Sequence, residues 1–220
     1  MNLRAMTSLI DNAARYALRT PVLLAASLLA AALALAACDT GGGSADEAQG
    51  PPPLEGAALG GDFALVDENG EDVNLADWHG KWTMIYFGYT FCPDVCPYDV
   101  QRMSAGYAAF AKAHPDLADD VVPLFITVDP ARDTPAVLRE FTDAFSPDLI
   151  GLTGSEEQLG AAAKSFGAYF ERGEESEGGG YLMDHSRAAY LMDREGKPIA
   201  LLPVEQSAEG VTQELEKWVR

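Results

Sequence analysis

A short apolar run that ends directly in a pair of cysteines constrains this chain more than any other feature. Trp82-Thr-Met-Ile-Tyr-Phe-Gly88 is aromatic, β-branched and uncharged, as a buried central strand must be. It leads into Phe91-Cys92-Pro93-Asp94-Val95-Cys96-Pro97. From Pro97 to Ala113 the apolar residues Val100, Met103, Tyr107 and Phe110 recur at helical spacing. The cysteines therefore sit on a strand-to-helix connection, with Cys92 where the strand ends and Cys96 in or near the first helical turn. Free N–H groups and the positive end of the helix dipole favour thiolates there.

The remaining elements follow in order. Phe63–Val66 and Val73–Leu75 flank Asp67-Glu-Asn-Gly70, whose Asn-Gly step predicts an N-terminal β-hairpin. Val121–Val128 reads as a second buried strand. Thr134-Pro135 opens a helix to about Phe145, Leu149–Leu152 is a short strand, and Ser155-Glu-Glu-Gln158 is a capping box opening a helix to about Ala168. Ala188–Met192 and Pro198–Leu202 make a hairpin around Asp193-Arg-Glu-Gly196, and a last helix covers Ala208–Val219. Strands separated by helices imply parallel crossovers, and the closing hairpin adds an antiparallel edge. The fold class is α/β: a thioredoxin-like fold with a central mixed sheet flanked by helices, over residues 61–220.

The N-terminal segment reads as processing and tethering sequence. Arg4, Arg15 and Arg19 precede the uncharged apolar run Pro21–Ala37, the layout of an export signal over residues 1–37. Leu35-Ala-Ala-Cys38 resembles a bacterial lipobox, in which Cys38 would carry the lipid. The alternatives are an ordinary signal ending by chance in a cysteine, or an uncleaved anchor. All three place the chain outside the cytoplasm and beside a membrane; the lipobox reading makes it membrane-anchored, facing the periplasm or extracytoplasmic side. Residues 39–60 are rich in Gly, Ser, Pro and acids and read as a flexible tether, reaching roughly 26 Å. The net charge of −19 becomes −21 once residues 1–37, with three Arg and one Asp, are removed. So acidic a surface repels phosphate backbones, which argues against nucleic acid as a partner. Glu171–Gly180 (ERGEESEGGG) reads as an exposed loop.

With Cys38 assigned to lipid, Cys92 and Cys96 remain, three residues apart. A disulfide here would close almost no loop and add little stability, so the pair is there for chemistry. The spacing permits either a disulfide or a metal. Of the three histidines, His79 in a turn and His114 past a helix end read as surface residues. His185, in Leu182-Met-Asp-His-Ser-Arg187, lies in the loop entering the closing hairpin, which in a thioredoxin-like fold faces the cysteine loop. Two thiolates and an imidazole suit Cu(I), can hold Cu(II) and could take zinc, which usually wants a fourth ligand. Copper is the better match.

Three segments carry a family resemblance. Tyr86-Phe-Gly-Tyr-Thr-Phe-Cys-Pro-Asp-Val-Cys-Pro97, Val128-Asp-Pro-Ala-Arg-Asp-Thr-Pro135 and Tyr181-Leu-Met-Asp-His-Ser186 resemble, in order, the signature segments of the Sco/SenC family. The resemblance implies copper on Cys92, Cys96 and His185, and two cysteines able to cycle to a disulfide. It further implies a metallochaperone for the CuA centre of cytochrome c oxidase, with the copper-bearing oxidase subunit as partner and a periplasmic copper donor and thiol reductant as further ones. The alternatives are a thiol–disulfide oxidoreductase that reduces the acceptor's cysteines, or a copper- or redox-sensing module; a peroxidase has no need of His185 as a ligand. Asp129 and Asp133 either orient a partner or tune the site, or form an Asp-Pro turn with helix-terminal charge, the reading favoured here. Asp184, beside His185, is a further candidate for a supporting or partner contact. Met84, Met103 and Met192 read as packing, and Met183 is left open.

Overall fold

In the computed structural model, which describes residues 50–220, the run that leads into the cysteines is β3 (Trp82–Gly88), buried along nearly its whole length. The preceding hairpin is β1 (Ala64–Asp67) and β2 (Asp72–Asn74), turned at Asn69-Gly70, where Gly70 takes φ +84°. Helix α1 (Val95–Ala113) follows the cysteine loop, then β4 (Val121–Thr127), α2 (Pro135–Asp143), β5 (Ile150–Thr153) and α3 (Glu156–Ser165). The chain continues through β6 (Phe170–Arg172), β7 (Met183–His185), β8 (Ala189–Met192), β9 (Pro198–Leu202) and α4 (Ala208–Trp218).

Seven strands form one sheet in the order β2-β1-β5-β4-β3-β8-β9. The three central strands β3, β4 and β5 are parallel, while β1, β8 and β9 pair antiparallel at the flanks. β6 and β7 pair with each other, antiparallel, as a separate two-stranded ribbon. The helix caps are those written in the sequence: Thr134 accepts from Val137 N–H ahead of Pro135, and Ser155 and Gln158 close a reciprocal capping box. α1 buries Val100, Met103, Tyr107 and Phe110 and lies against α4. A Cβ at Gly106 would stand 2.6 Å from Val211 Cβ, so this glycine sets how closely the two helices approach.

The structure departs from the sequence reading in two places that bear on function. Residues 171–172 are strand rather than loop, and His185 closes β7 rather than lying in a loop. Each of these strands is only three residues long, too short to show an alternating pattern. The second departure is the domain boundary. Residues 51–220 form one unit, so residues 51–60 of the stretch that composition assigned to the tether belong to it. Leu54 N–H donates to Ile199 O at 3.0 Å and Gly60 N–H to Ser165 O at 2.9 Å. Proline and glycine there shape an ordered turn, and the candidate tether shortens to residues 39–50. The export signal and Cys38 lie outside the described residues; among those described, no helix is long and apolar enough to cross a membrane.

A chain trimmed to begin at Gly61 should therefore be less stable than one beginning at Pro51. Two backbone hydrogen bonds and the partial burial of Leu54 and Leu59 contribute about 2–3 kcal/mol, a drop of about 4–10 °C in Tm for a domain of this size. Calorimetry on the two proteins checks this; equal Tm values would return residues 51–60 to the tether.

Candidate metal centre

Parallel pairing of β3 and β4 brings their C-terminal ends, and hence their following loops, to the same edge of the sheet. The loop after β3 carries the cysteines. Cys92 N–H donates to Tyr89 O at 3.3 Å, curling the chain back before α1 begins. Cys96 is the second residue of α1, and its N–H, one of the donors a helix start leaves without a partner, points at Cys92 Sγ at 3.5 Å. Gly88 makes room for this arrangement. A Cβ there would stand 2.9 Å from the Phe125 and Tyr86 rings and 3.2 Å from Cys96 Sγ.

The third donor comes from the ribbon. His185 Nε2 lies 3.1 Å from Cys96 Sγ, and Nδ1 lies 2.8 Å from Ser186 O. A carbonyl only accepts, so the proton is on Nδ1 and the Nε2 lone pair faces the sulfur. The imidazole is packed edge-on against Tyr89 and Tyr86, with ring centroids at 5.7 and 6.3 Å. Burial lowers the His185 pKa, and the Ser186 carbonyl opposes that shift. The donor atoms of Cys92, Cys96 and His185 all lie within 4.8 Å of one another, and both thiols are free. This is the one such group of metal-binding side chains among the described residues.

The two sulfurs are not equivalent. Cys92 is partly exposed and Cys96 is fully buried. Burial pushes the Cys96 thiol up, opposed by a hydrogen bond from the Tyr89 backbone, so the expectation that the helix terminus makes both thiolates easy to form is corrected for Cys96. Burial likewise pushes the Tyr89 phenol up to about 12, leaving a neutral hydroxyl beside the site.

Asp129 and Asp133 are buried behind the cysteine loop. Asp133 accepts from Thr90 N–H at 3.0 Å, from Thr90 Oγ1 at 2.6 Å and from Thr127 Oγ1 at 2.6 Å, tying the loop after β3 to the end of β4. Asp129 accepts from Arg132 Nε and from the Tyr181 hydroxyl at 2.7 Å. The backbone turn read from the sequence is present, with Asp133 N–H on Asp129 O, but both carboxylates reach across to neighbouring segments instead of serving only α2. Asp184 is exposed, opposite Glu171 in the ribbon. Met183 is buried against the core, as are Met84, Met103 and Met192. Sequence reasoning missed Tyr86, Asp99 and Arg187, a hydrogen-bonded set beneath Cys96 and His185. Their signal was available in spacing: Asp99 lies one helical turn beyond Cys96, and Arg187 lies two residues beyond His185.

With this geometry, the family model described as SCO1/SenC matches residues 51–220. The chain belongs to the SCO1/SenC family. It is 45% identical over 161 residues to Protein SenC of Rhodobacter capsulatus, covering 72% of this chain and 65% of that one. It is 39% identical over 169 residues to the mitochondrial Protein SCO1 homolog 1 of Arabidopsis thaliana, covering 77% of this chain and 49% of that one. The chain thus spans about half to two thirds of the length of these relatives. The crystal structure of Arabidopsis thaliana ScoI with copper bound superposes with a TM-score of 0.68 at 38% identity, covering 73% of this chain and 97% of that one. The thioredoxin-like fold read from the order of elements is the fold of these neighbours.

The contrast in burial predicts unequal thiol reactivity. In the reduced, metal-free protein, iodoacetamide should modify Cys92 at least about tenfold faster than Cys96, because thiolate character and access together set the rate. Peptide mass spectrometry over a time course reads both sites; equal rates would contradict the burial of Cys96.

Proposed function

We propose that this protein is a copper metallochaperone, holding the metal on Cys92, Cys96 and His185 and passing it to the CuA centre of cytochrome c oxidase. The family is linked to copper assembly of that oxidase, and the observation that carries the reading is His185 Nε2 at 3.1 Å from Cys96 Sγ, lone pair inward. Two thiolates and a neutral imidazole are a donor set for Cu(I) and Cu(II). Loading releases the thiol protons; at Cys96 the metal's charge replaces a proton that burial otherwise retains. Transfer begins at Cys92, the partly exposed sulfur, where an incoming thiolate of the acceptor can displace it before Cys96 and His185 let go.

A second reading, thiol–disulfide exchange with the acceptor's cysteines, is supported by the placement of Cys92 just before α1, facing the N–H of Cys96 in its first turn, with both thiols free. It uses the same sulfurs but makes no use of His185. A sensing module would use all three donors without transfer. We further propose an exported chain held at the membrane through Cys38, with residues 39–50 as the tether.

His185→Ala leaves two sulfurs, which Cu(I) accepts as a linear pair, whereas Cu(II) prefers more donors with nitrogen or oxygen among them. The variant should bind Cu(I) near wild-type stoichiometry and lose at least about tenfold in Cu(II) affinity, the scale on which even outer partners of a ligating histidine act. Cys92→Ser and Cys96→Ser should nearly abolish both. Anaerobic titrations, with charge-transfer absorption for Cu(II) and a competing chelator for Cu(I), make the comparison. Wild-type Cu(II) binding by His185→Ala would put the reductase first.

Location has its own test. Cys38→Ala should free the protein from membranes or leave it there at the higher mass of an uncleaved signal. Wild-type protein recovered in the soluble exported fraction would remove the lipid tether.

A further inference from the structure

Asp99 and Arg187 belong neither to the donor set nor to the sheet ladder, yet they stand between the two halves of the site. Asp99 lies three residues after Cys96 in α1, so the two share a helix face, and it is fully buried. Its carboxylate accepts from Arg187 Nε at 2.9 Å, from Arg187 Nη2 at 2.7 Å and from the Tyr86 hydroxyl at 3.1 Å. Arg102 Nη1 stands 3.8 Å away, but that nitrogen donates to the carbonyls of Val204 and Glu205. Arg187 therefore provides the close charge partner, in the two-pronged geometry that fixes direction as well as distance.

Arg187 follows His185 by two residues. The strand that ends on His185 bonds to β6 and not to the seven-stranded sheet. Ser186 turns the same way: its N–H donates to Tyr169 O at 2.8 Å, and its Oγ accepts from Tyr169 N–H at 2.8 Å. These bonds fasten the histidine's segment to the ribbon and leave the helix that carries Cys96 untouched. Besides the contact of His185 with Cys96 itself, the Arg187 fork on Asp99 ties that segment to α1.

We infer that Arg187 is a positioning residue for His185: forked onto Asp99, it holds the imidazole against Cys96 and so fixes the nitrogen donor in the site. The inference rests on the copper reading above. Both cysteines lie on the β3–α1 connection and keep their relation without the fork. What its loss releases is the nitrogen donor, and the effect falls on the oxidation state that needs nitrogen. A pair serving only stability would affect both oxidation states alike.

The test uses the full chain, purified reduced in detergent, with two variants. The double variant Asp99→Leu/Arg187→Met removes the pair without stranding a buried charge. Arg187→Lys keeps the charge and loses the fork. Each is titrated with a Cu(II) salt and with Cu(I) against a competing chelator, folding is checked by circular dichroism, and nitrogen coupling to Cu(II) is read by electron paramagnetic resonance. The double variant should keep Cu(I) affinity within about threefold. Its Cu(II) affinity should fall about 10–100-fold, the range for outer partners of a ligating histidine, with nitrogen coupling diminished. Arg187→Lys should fall between it and wild type, and decides by the same readouts if the double variant does not fold. Wild-type Cu(II) affinity and coupling in the folded variants would overturn the inference, as would equal weakening of both ions. A wild type that binds neither ion overturns the copper reading, and the inference with it.

Discussion

The parallel ladder between β3 and β4 is the constraint on which the site depends. It runs in continuous register from Trp82 opposite Val121 to Gly88 opposite Thr127, and because the two strands point the same way, the segments that leave them emerge side by side. One segment carries the sulfurs and the other carries Asp129 and Asp133. Three hydrogen bonds to the buried Asp133 carboxylate, two from Thr90 and one from Thr127, lock the first segment to the strand that feeds the second. A carboxylate removed from water must find such donors or lose its charge. The cysteine loop is thus fastened through a buried carboxylate whose donors are in place, and the cysteines inherit its rigidity.

Much of this was legible in the chain. A buried strand announces itself by uninterrupted apolar and β-branched residues, and Trp82–Gly88 and Val121–Val128 both do so. Thr134-Pro135 and Ser155–Gln158 mark helix starts because capping is chemistry between near neighbours. The donor triad could be assembled on paper because the order of elements fixes which loops face each other. The ribbon could not, since three residues of Phe170–Arg172 and three of Met183–His185 carry too short a pattern, and their pairing spans an acidic, glycine-rich segment. The role of Asp133 was also hidden. Its partners Thr90 and Thr127 are distant in sequence from one another, and only the ladder makes them neighbours.

Burial divides the labour between the two thiols. Cys96, buried against Tyr86 and His185, trades solvent for fixed neighbours, and its proton is held more firmly than in water. Cys92, nearer the surface and beside the half-exposed ring of Phe91, is the sulfur a partner can reach. A donor set with one fixed end and one accessible end suits a cargo that must be retained and then surrendered, because exchange can proceed one bond at a time.

The segment beginning at Pro51 has a consequence for how the molecule behaves among its own copies. β9 closes one side of the sheet, and an outermost strand is a template on which another chain's strand can be laid. Here Ile199 O is already taken by Leu54 N–H. The residues just before Leu54 are Pro51-Pro52-Pro53, which have no N–H to continue such pairing. The folded-back segment is therefore a guard on that flank, occupying an acceptor without itself offering a regular strand for the next molecule. At that flank a second copy seeking to extend the sheet through β9 meets the chain's own segment first.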